Sequence, residues 1–231
     1  MPPSFSLPRP ATFARYAVVL AGITLLAFAG YESGLRGMED WRSARWRGEV
    51  RQWAGGRPVA SEEQWQRAVD ALRAALRLAP HDPELWSHLG LAYDIGSRRF
   101  VRTGGWNVYI EFALIHYRQA AALRPTSPYS WAGVAVMKYR LDQLDEEFSR
   151  ALTSAMRLGP WEPGVQIIAS DIGLALWDRL NPPFQDQVRE NLRRTAVRQA
   201  DQLAKLAVTY GREGVLCEES LDALKNRLKC P

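Results

Sequence analysis

The chain has 231 residues, 47% hydrophobic and 24% charged, the balance of a packed globular protein rather than a disordered one. Its formal net charge of +5 is placed unevenly: residues 1–60 hold eight Lys/Arg against four Asp/Glu, and residues 61–231 hold 22 against 21. A near-neutral body lacks the basic face that releases counterions, which argues against nucleic acid; two cysteines and three histidines (His81, His88, His116) supply neither a disulfide scaffold nor a zinc-ligand set.

A Pro-rich tail, residues 1–13, carries Pro2, Pro3, Pro8 and Pro10. Next comes an uncharged stretch of 16 residues, Tyr16 to Tyr31, between Arg15 and Glu32. As a helix it covers about 24 Å, short of the roughly 30 Å hydrocarbon core. A snorkelling Arg15 and interfacial Tyr16 and Tyr31 close that gap, so residues 14–31 are expected to form an N-terminal transmembrane helix, a single-pass anchor. The competing reading is a cleaved signal peptide, because Ala27-Phe28-Ala29 before Gly30 has the small-x-small form of a cleavage site. The five arginines after the span (Arg36, Arg42, Arg45, Arg47, Arg51) outnumber Arg9 and Arg15, which by the positive-inside rule points to a cytoplasmic domain. A positive N-terminus followed by an apolar run has the form of an export signal, and acidic residues interleave the later arginines; translocation is therefore the expectation.

In residues 38–54, Trp46, Val50 and Trp53 recur at amphipathic-helix spacing. Their expected role is to pack on the next helix; lying on an anionic membrane surface is the alternative. Gly55-Gly56-Arg57-Pro58 then breaks the chain, and Ser61 with Gln64 forms a capping box that opens a helix running to Ala79. A Pro-x-x-Pro frame follows three Ala/Leu-rich stretches, at Pro80/Pro83, Pro125/Pro128 and Pro160/Pro163. Each second proline suits the first position of a helix, where φ is already correct and no amide donor is needed.

Between these boundaries the residues resemble tetratricopeptide repeats, 34-residue pairs of antiparallel helices. The clearest copy carries Trp86, Leu89, Gly90 and Tyr93 on the first helix, then Ala113, Tyr117, Ala120 and Pro125 on the second. Ala68, Leu72, Ala75 and Pro80 give the second half of the preceding copy; Trp131, Phe148, Leu152, Ala155 and Pro160 mark the following one. The middle copy spans 45 residues from proline to proline, and its surplus of 11 falls in residues 97–108. Val134-Ala135 replaces the usual Leu-Gly, and beyond Pro163 the pattern fades into expected helices over 164–180, 184–209 and 218–229. The expected fold is all-α: a tetratricopeptide-like helical-hairpin solenoid of about three repeats over 38–180, a helical cap over 184–231, and the N-terminal transmembrane helix.

The concave face of such a solenoid is lined by first-helix side chains, here Glu84, Ser87, Leu91 and Asp94, then Tyr129, Ala132, Val136 and Tyr139. A partner peptide or a glycan could lie there; equally these side chains could simply solvate the inner face. In the insertion, Arg98, Arg99 and Arg102 with Phe100, Trp106 and Tyr109 could contact a glycan or an anion, by ring stacking and charge pairing. Alternatively the aromatics fold onto the core and the arginines stay in water. If residues 218–229 are one helix, Cys217 and Cys230 lie about 20 Å apart and cannot be bridged; otherwise the helix breaks. Glu146-Glu147 and Glu218-Glu219 fit helix-surface solvation or complementation of a helix N-terminal dipole. No catalytic residue, metal site or cofactor site is expected.

Pro128-Tyr129-x-Trp131, Leu158-Gly159-Pro160-Trp161-Glu162-Pro163, and Tyr210-Gly211-Arg212 with Cys217 are similar to small tetratricopeptide proteins of bacterial exopolysaccharide loci, the VpsP-type polysaccharide biosynthesis proteins. They also resemble the repeat-bearing tails of some O-antigen polymerases or ligases. The resemblance implies a non-enzymatic accessory protein in synthesis or export of a bacterial cell-surface polysaccharide; with the anchor and translocation expected from the N-terminal residues, the expected location is the inner membrane, with the domain periplasmic rather than cytoplasmic. By that resemblance it binds protein components of polysaccharide synthesis or export. The alternatives are an assembly factor for cytochromes or secretion, and an enzyme acting on glycans, which would need a closed pocket with two carboxylates about 5–9.5 Å apart.

Overall fold

A computed structural model describes residues 10–100 and 106–219, together with Leu224, Arg227, Leu228 and Cys230. Within the helices, nothing is described of the side chains of residues 10–14, 32, 35, 36, 39, 40, 42, 106 and 107. Among the described residues the elements are nine α-helices and one short 3₁₀ turn, joined by short connections, with no strand. The helices are α1 (Pro10–Ala54), α2 (Glu62–Leu78), α3 (Pro83–Arg99), α4 (Trp106–Leu123), α5 (Pro128–Arg140), α6 (Glu146–Leu158), α7 (Pro163–Ala175), α8 (Pro182–Tyr210) and α9 (Glu213–Glu218).

The caps follow the local sequence. Ser61 Oγ accepts the Gln64 amide at 3.2 Å, and the Gln64 side chain returns to the Ala60 amide at 3.0 Å, one residue before the usual box partner. Pro83, Pro128 and Pro163 each open a helix as the sequence predicts, behind Asp82, Ser127 and Glu162. Gly211, at φ +62, ends α8 in the left-handed conformation that a Cβ would strain.

The helices pair as α1–α2, α3–α4, α5–α6 and α7–α8, and α1, α3, α5 and α7 stack in sequence as one layer. The described residues therefore hold four hairpins, where the sequence predicts about three repeats and a cap. α1 supplies the first helix of the first hairpin, burying Val50 and Trp53 against the next layer, so the packing role expected of Trp46, Val50 and Trp53 is realised. One continuous apolar core runs from Val50 to Leu224.

Three repeat positions share one bond. Trp86 and Trp131 donate their indole N–H to the carbonyls of Pro80 and Pro125, each at 2.8 Å, and Gln166 donates its amide to Pro160 at the same distance. The repeat thus continues past Pro163, with an amide standing in for the indole.

Other expectations change. The surplus of the middle repeat lengthens its helices: α3 has 17 residues and α4 has 18, where α5 and α6 have 13 each. Phe100 and Tyr109 pack on the buried Trp65 ring, at centroid distances of 5.8 and 5.2 Å. The short terminal helix over 218–229 is not continuous: α9 stops at Glu218, and Cys217 and Cys230 are joined in a disulfide with Cα atoms 5.4 Å apart. A straight helix between them would have held those atoms too far apart.

Candidate functional site: the concave face

α1 is a single helix of 45 residues that serves two regions. Its last turns form one wall of the solenoid. The uncharged stretch Tyr16–Tyr31 lies on the same helix outside the core, with Val18 and Leu26 each 72% exposed and Phe28 63% exposed. Among the described residues no helix is long and apolar enough to cross a membrane, so the transmembrane helix expected over residues 14–31 gains no support from the structure.

The stacked inner helices enclose a concavity of about 1080 Å³, walled by the end of α1 and the α1–α2 connection, by α3 and α5, and by α7. Glu84, Ser87, Leu91, Asp94, Tyr129 and Tyr139 all line it, as does Val136. Ala132 does not: it is buried against Ala155 and Val165 in a small separate core. Arg98 and Arg99, placed in the insertion by the sequence, instead end α3 and stand at the edge of the same concavity. Arg102 lies outside the described residues, and so does the side chain of Trp106, which opens α4.

At the centre is Asp94, 3% exposed, which receives the guanidinium groups of Arg98 from its own helix and Arg140 from α5. Burial opposes the charge on Arg98, but the Asp94 carboxylate outweighs it and raises its pKa; at Arg140 burial prevails and lowers the pKa. Both remain cationic. Beside them the Tyr117 hydroxyl is held protonated by burial, with the Asp94 charge adding to the effect. His88 gives its Nδ1 hydrogen to the Glu84 carbonyl at 2.7 Å, and burial lowers its pKa, so it is a neutral wall residue.

Cross-links between repeats fix the shape of this face. The Ser87 and Ser130 hydroxyls meet at 3.2 Å across α3 and α5, and Arg124 reaches Glu84 at 3.2 Å. Tyr129 donates to the Glu162 carboxylate at 2.9 Å while remaining half exposed. Asp171 of α7 accepts from the Tyr210 hydroxyl at 2.7 Å. The carboxylates of the concavity, Glu84, Asp94 and Asp171, are thus each engaged by a neighbouring side chain. Among the described residues no group of three His, Cys, Asp or Glu side chains could hold a metal ion.

Sequence reasoning missed the wall made by the end of α1 and the α1–α2 connection, with Arg51, Trp53 and Arg57, and the α7 contribution of Ile168 and Asp171. The signal for the α7 side was present in the Pro160/Pro163 frame. No local signal placed α1 across the end of the groove.

No family model matches the chain, and no curated protein matches it. Among solved structures, it is similar to a thermophilic TPR (tetratricopeptide-repeat) protein in Thermus thermophilus, at 15% identity. That superposition has a TM-score of 0.55 and covers 83% of this chain and 94% of the other. At that identity the likeness shows the fold alone: an all-helical tetratricopeptide-like solenoid. It does not bear on the polysaccharide resemblance.

Proposed function

We propose that this protein is a membrane-tethered scaffold whose concave face holds a protein partner. The observation that carries this reading is the dual use of α1, which walls the concavity at Arg51 and Trp53 and presents the exposed apolar stretch Tyr16–Tyr31 further along the same helix. An apolar helix face left in water is unfavourable, at about 25 cal/mol per Å²; insertion into lipid removes that cost. From Tyr31 to Arg51 the helix rises about 30 Å, so the tether would set the height of the groove above the bilayer. Confinement there raises the effective concentration of the groove for other membrane proteins.

The proposed location is the periplasmic side of a bacterial inner membrane. The Cys217–Cys230 disulfide supports that side, because such bonds persist in oxidising compartments. The proposed pathway, exopolysaccharide synthesis or export, rests on the sequence resemblance through Pro128-Tyr129-x-Trp131 and Leu158–Pro163.

The test is a photocrosslinking residue at Tyr129 in native membranes, together with a carbonate wash. Retention in the washed membrane and capture of a polysaccharide polymerase, exporter or chain-length regulator is the expected result. Release by carbonate would defeat the tether. Capture solely of haem-maturation or secretion components would transfer the scaffold to that pathway.

A further inference from the structure

We infer that the concave face takes an acidic segment of its partner, a peptide in which Asp or Glu side chains alternate with aliphatic ones. This rests on the scaffold reading and names the chemistry of the partner. The concavity carries six arginines, Arg51, Arg57, Arg98, Arg99, Arg124 and Arg140, against the three carboxylates of Glu84, Asp94 and Asp171. The internal pairs do not cancel that excess. Arg98 and Arg140 share Asp94, Arg124 meets Glu84, and Arg57 turns to Glu49. Arg51 and Arg99 are exposed and, among the described residues, form no ion pair. Four of the six arginines come from residues 61–231, which are nearly neutral taken together, and Arg51 and Arg57 come from the basic N-terminal part.

Between the arginines runs an aliphatic floor. Leu91 and Ile95 of α3, Val136 of α5 and Ile168 of α7 are half-buried there, over a buried Ile172. An acidic polysaccharide could satisfy the arginines but brings hydroxyls to that floor, which would lose water there without gaining hydrogen bonds. A peptide with acidic and aliphatic side chains satisfies both. The volume, about 1080 Å³, is at the upper end of small-molecule sites and suits several residues of extended chain. Rim charges of this kind also steer association and make it sensitive to salt.

The experiment uses the full chain in a zwitterionic detergent and fluorescein-labelled peptides read by anisotropy, one alternating Glu with Leu and one alternating Lys with Leu. The Glu/Leu peptide is expected to bind at least about tenfold more tightly and to weaken as salt rises past the screening range. The double variant R51Q/R99Q, two exposed side chains outside the core, should cost that peptide about fivefold or more while the thermal unfolding curve stays in place. Equal binding of both peptides, or an affinity unchanged in R51Q/R99Q, would overturn the inference. Displacement by oligogalacturonate at matched charge would assign the face to an acidic glycan, and binding seen only with phosphatidylglycerol vesicles would assign it to lipid; either result overturns the peptide. If a membrane protein still crosslinks at Tyr129 in R51Q/R99Q with undiminished yield, the scaffold stands and its acidic partner does not.

Discussion

The Tyr117 ring of α4 lies flat against Gly133 of α5, so close that a Cβ added to the glycine would stand 2.5 Å from the ring. The same ring also packs on Gly90 of α3, where an added Cβ would be 3.0 Å away. The buried tyrosine therefore fills a slot that exists because both neighbouring inner helices lack a side chain at the point of contact. The relation spans two repeats and sets the distance between α3 and α5, hence the width of the groove. Gly133→Ala is expected to destabilise the solenoid by about 1–3 kcal/mol, the usual cost of overpacking a rigid site. Gly48→Ala, where nothing lies within 4 Å of the new methyl, should be neutral or stabilising by up to about 1 kcal/mol. Urea unfolding followed by circular dichroism compares the two, and an equal response would remove the slot explanation.

Gln166 makes the same proline-carbonyl bond as the two tryptophans, and it is 1% exposed, so an apolar replacement leaves the partly buried Pro160 carbonyl without that donor. It also accepts from Gln199 at 3.2 Å, at the residue where α8 departs from helical geometry. Gln166→Leu should lower stability by about 1–3 kcal/mol, the cost of an unsatisfied buried polar group, and loosen α7 against α8 before the other hairpins. Hydrogen exchange resolved by segment checks this, with faster exchange over residues 163–210 as the expected outcome.

The same residue shows what could be read from the sequence. The Pro-x-x-Pro frame and the Ala/Leu periodicity expose the hairpin boundaries because proline geometry and helical spacing are local. Gln166 hides the fourth repeat because the bond needs an N–H at the right place, which an amide supplies as well as an indole, and a pattern built on tryptophan does not detect it. The groove residues of α3 and α5 follow from helical periodicity. Arg51 and Arg57 do not, since their part in the groove depends on α1 continuing unbroken and packing across the end of α3, a long-range outcome. Likewise residues 97–99 and 106–108 of the middle repeat were free to become loop or helix; they extend α3 and α4, while Phe100 and Tyr109 pack on Trp65.

Glu147, which its sequence assigns to surface solvation or to a helix N-terminus, stands in the first turn of α6 and is also an anchor between hairpins. It accepts from Arg118 of α4 at 2.7 and 2.5 Å and meets the buried Lys138 of α5 at 3.2 Å, while Lys138 also reaches Asp145 at 2.5 Å. The Arg118 bonds hold the Glu147 carboxyl below its ordinary pKa, and the Lys138 bond does the same for Asp145. A carboxyl depressed in the folded state contributes stability that is full above its unfolded value, near pH 4, and lost as pH falls through the lower folded value. The urea midpoint is therefore expected to drop steeply below about pH 4, and E147Q should flatten that acid limb. E146Q, which removes no ion pair among the described residues, is the control.

The disulfide clasps the C-terminal segment back onto α8. Glu219, two residues after Cys217, accepts from Arg193 at 2.5 Å and pairs with Arg189 at 3.3 Å; Arg227 reaches Asp201 at 2.5 Å, and Leu224 is fully buried. The bond closes a loop with a sequence separation of 13, for which chain entropy alone gives about 3 kcal/mol. The exposed Arg227–Asp201 pair adds little on its own, and the two pairs to the nearly buried Glu219 hold the segment only next to Cys217, so the bridge is expected to be what keeps Leu224 in the core. Reduction, or the C217S/C230S pair, should free residues 217–231 to trypsin while the hairpins from α1 to α8 keep their helicity. Cleavage confined to that segment, with unchanged ellipticity, is the expected pattern. If the reduced protein resists trypsin as well as the oxidised one, the ion pairs and Leu224 suffice and the bridge is dispensable.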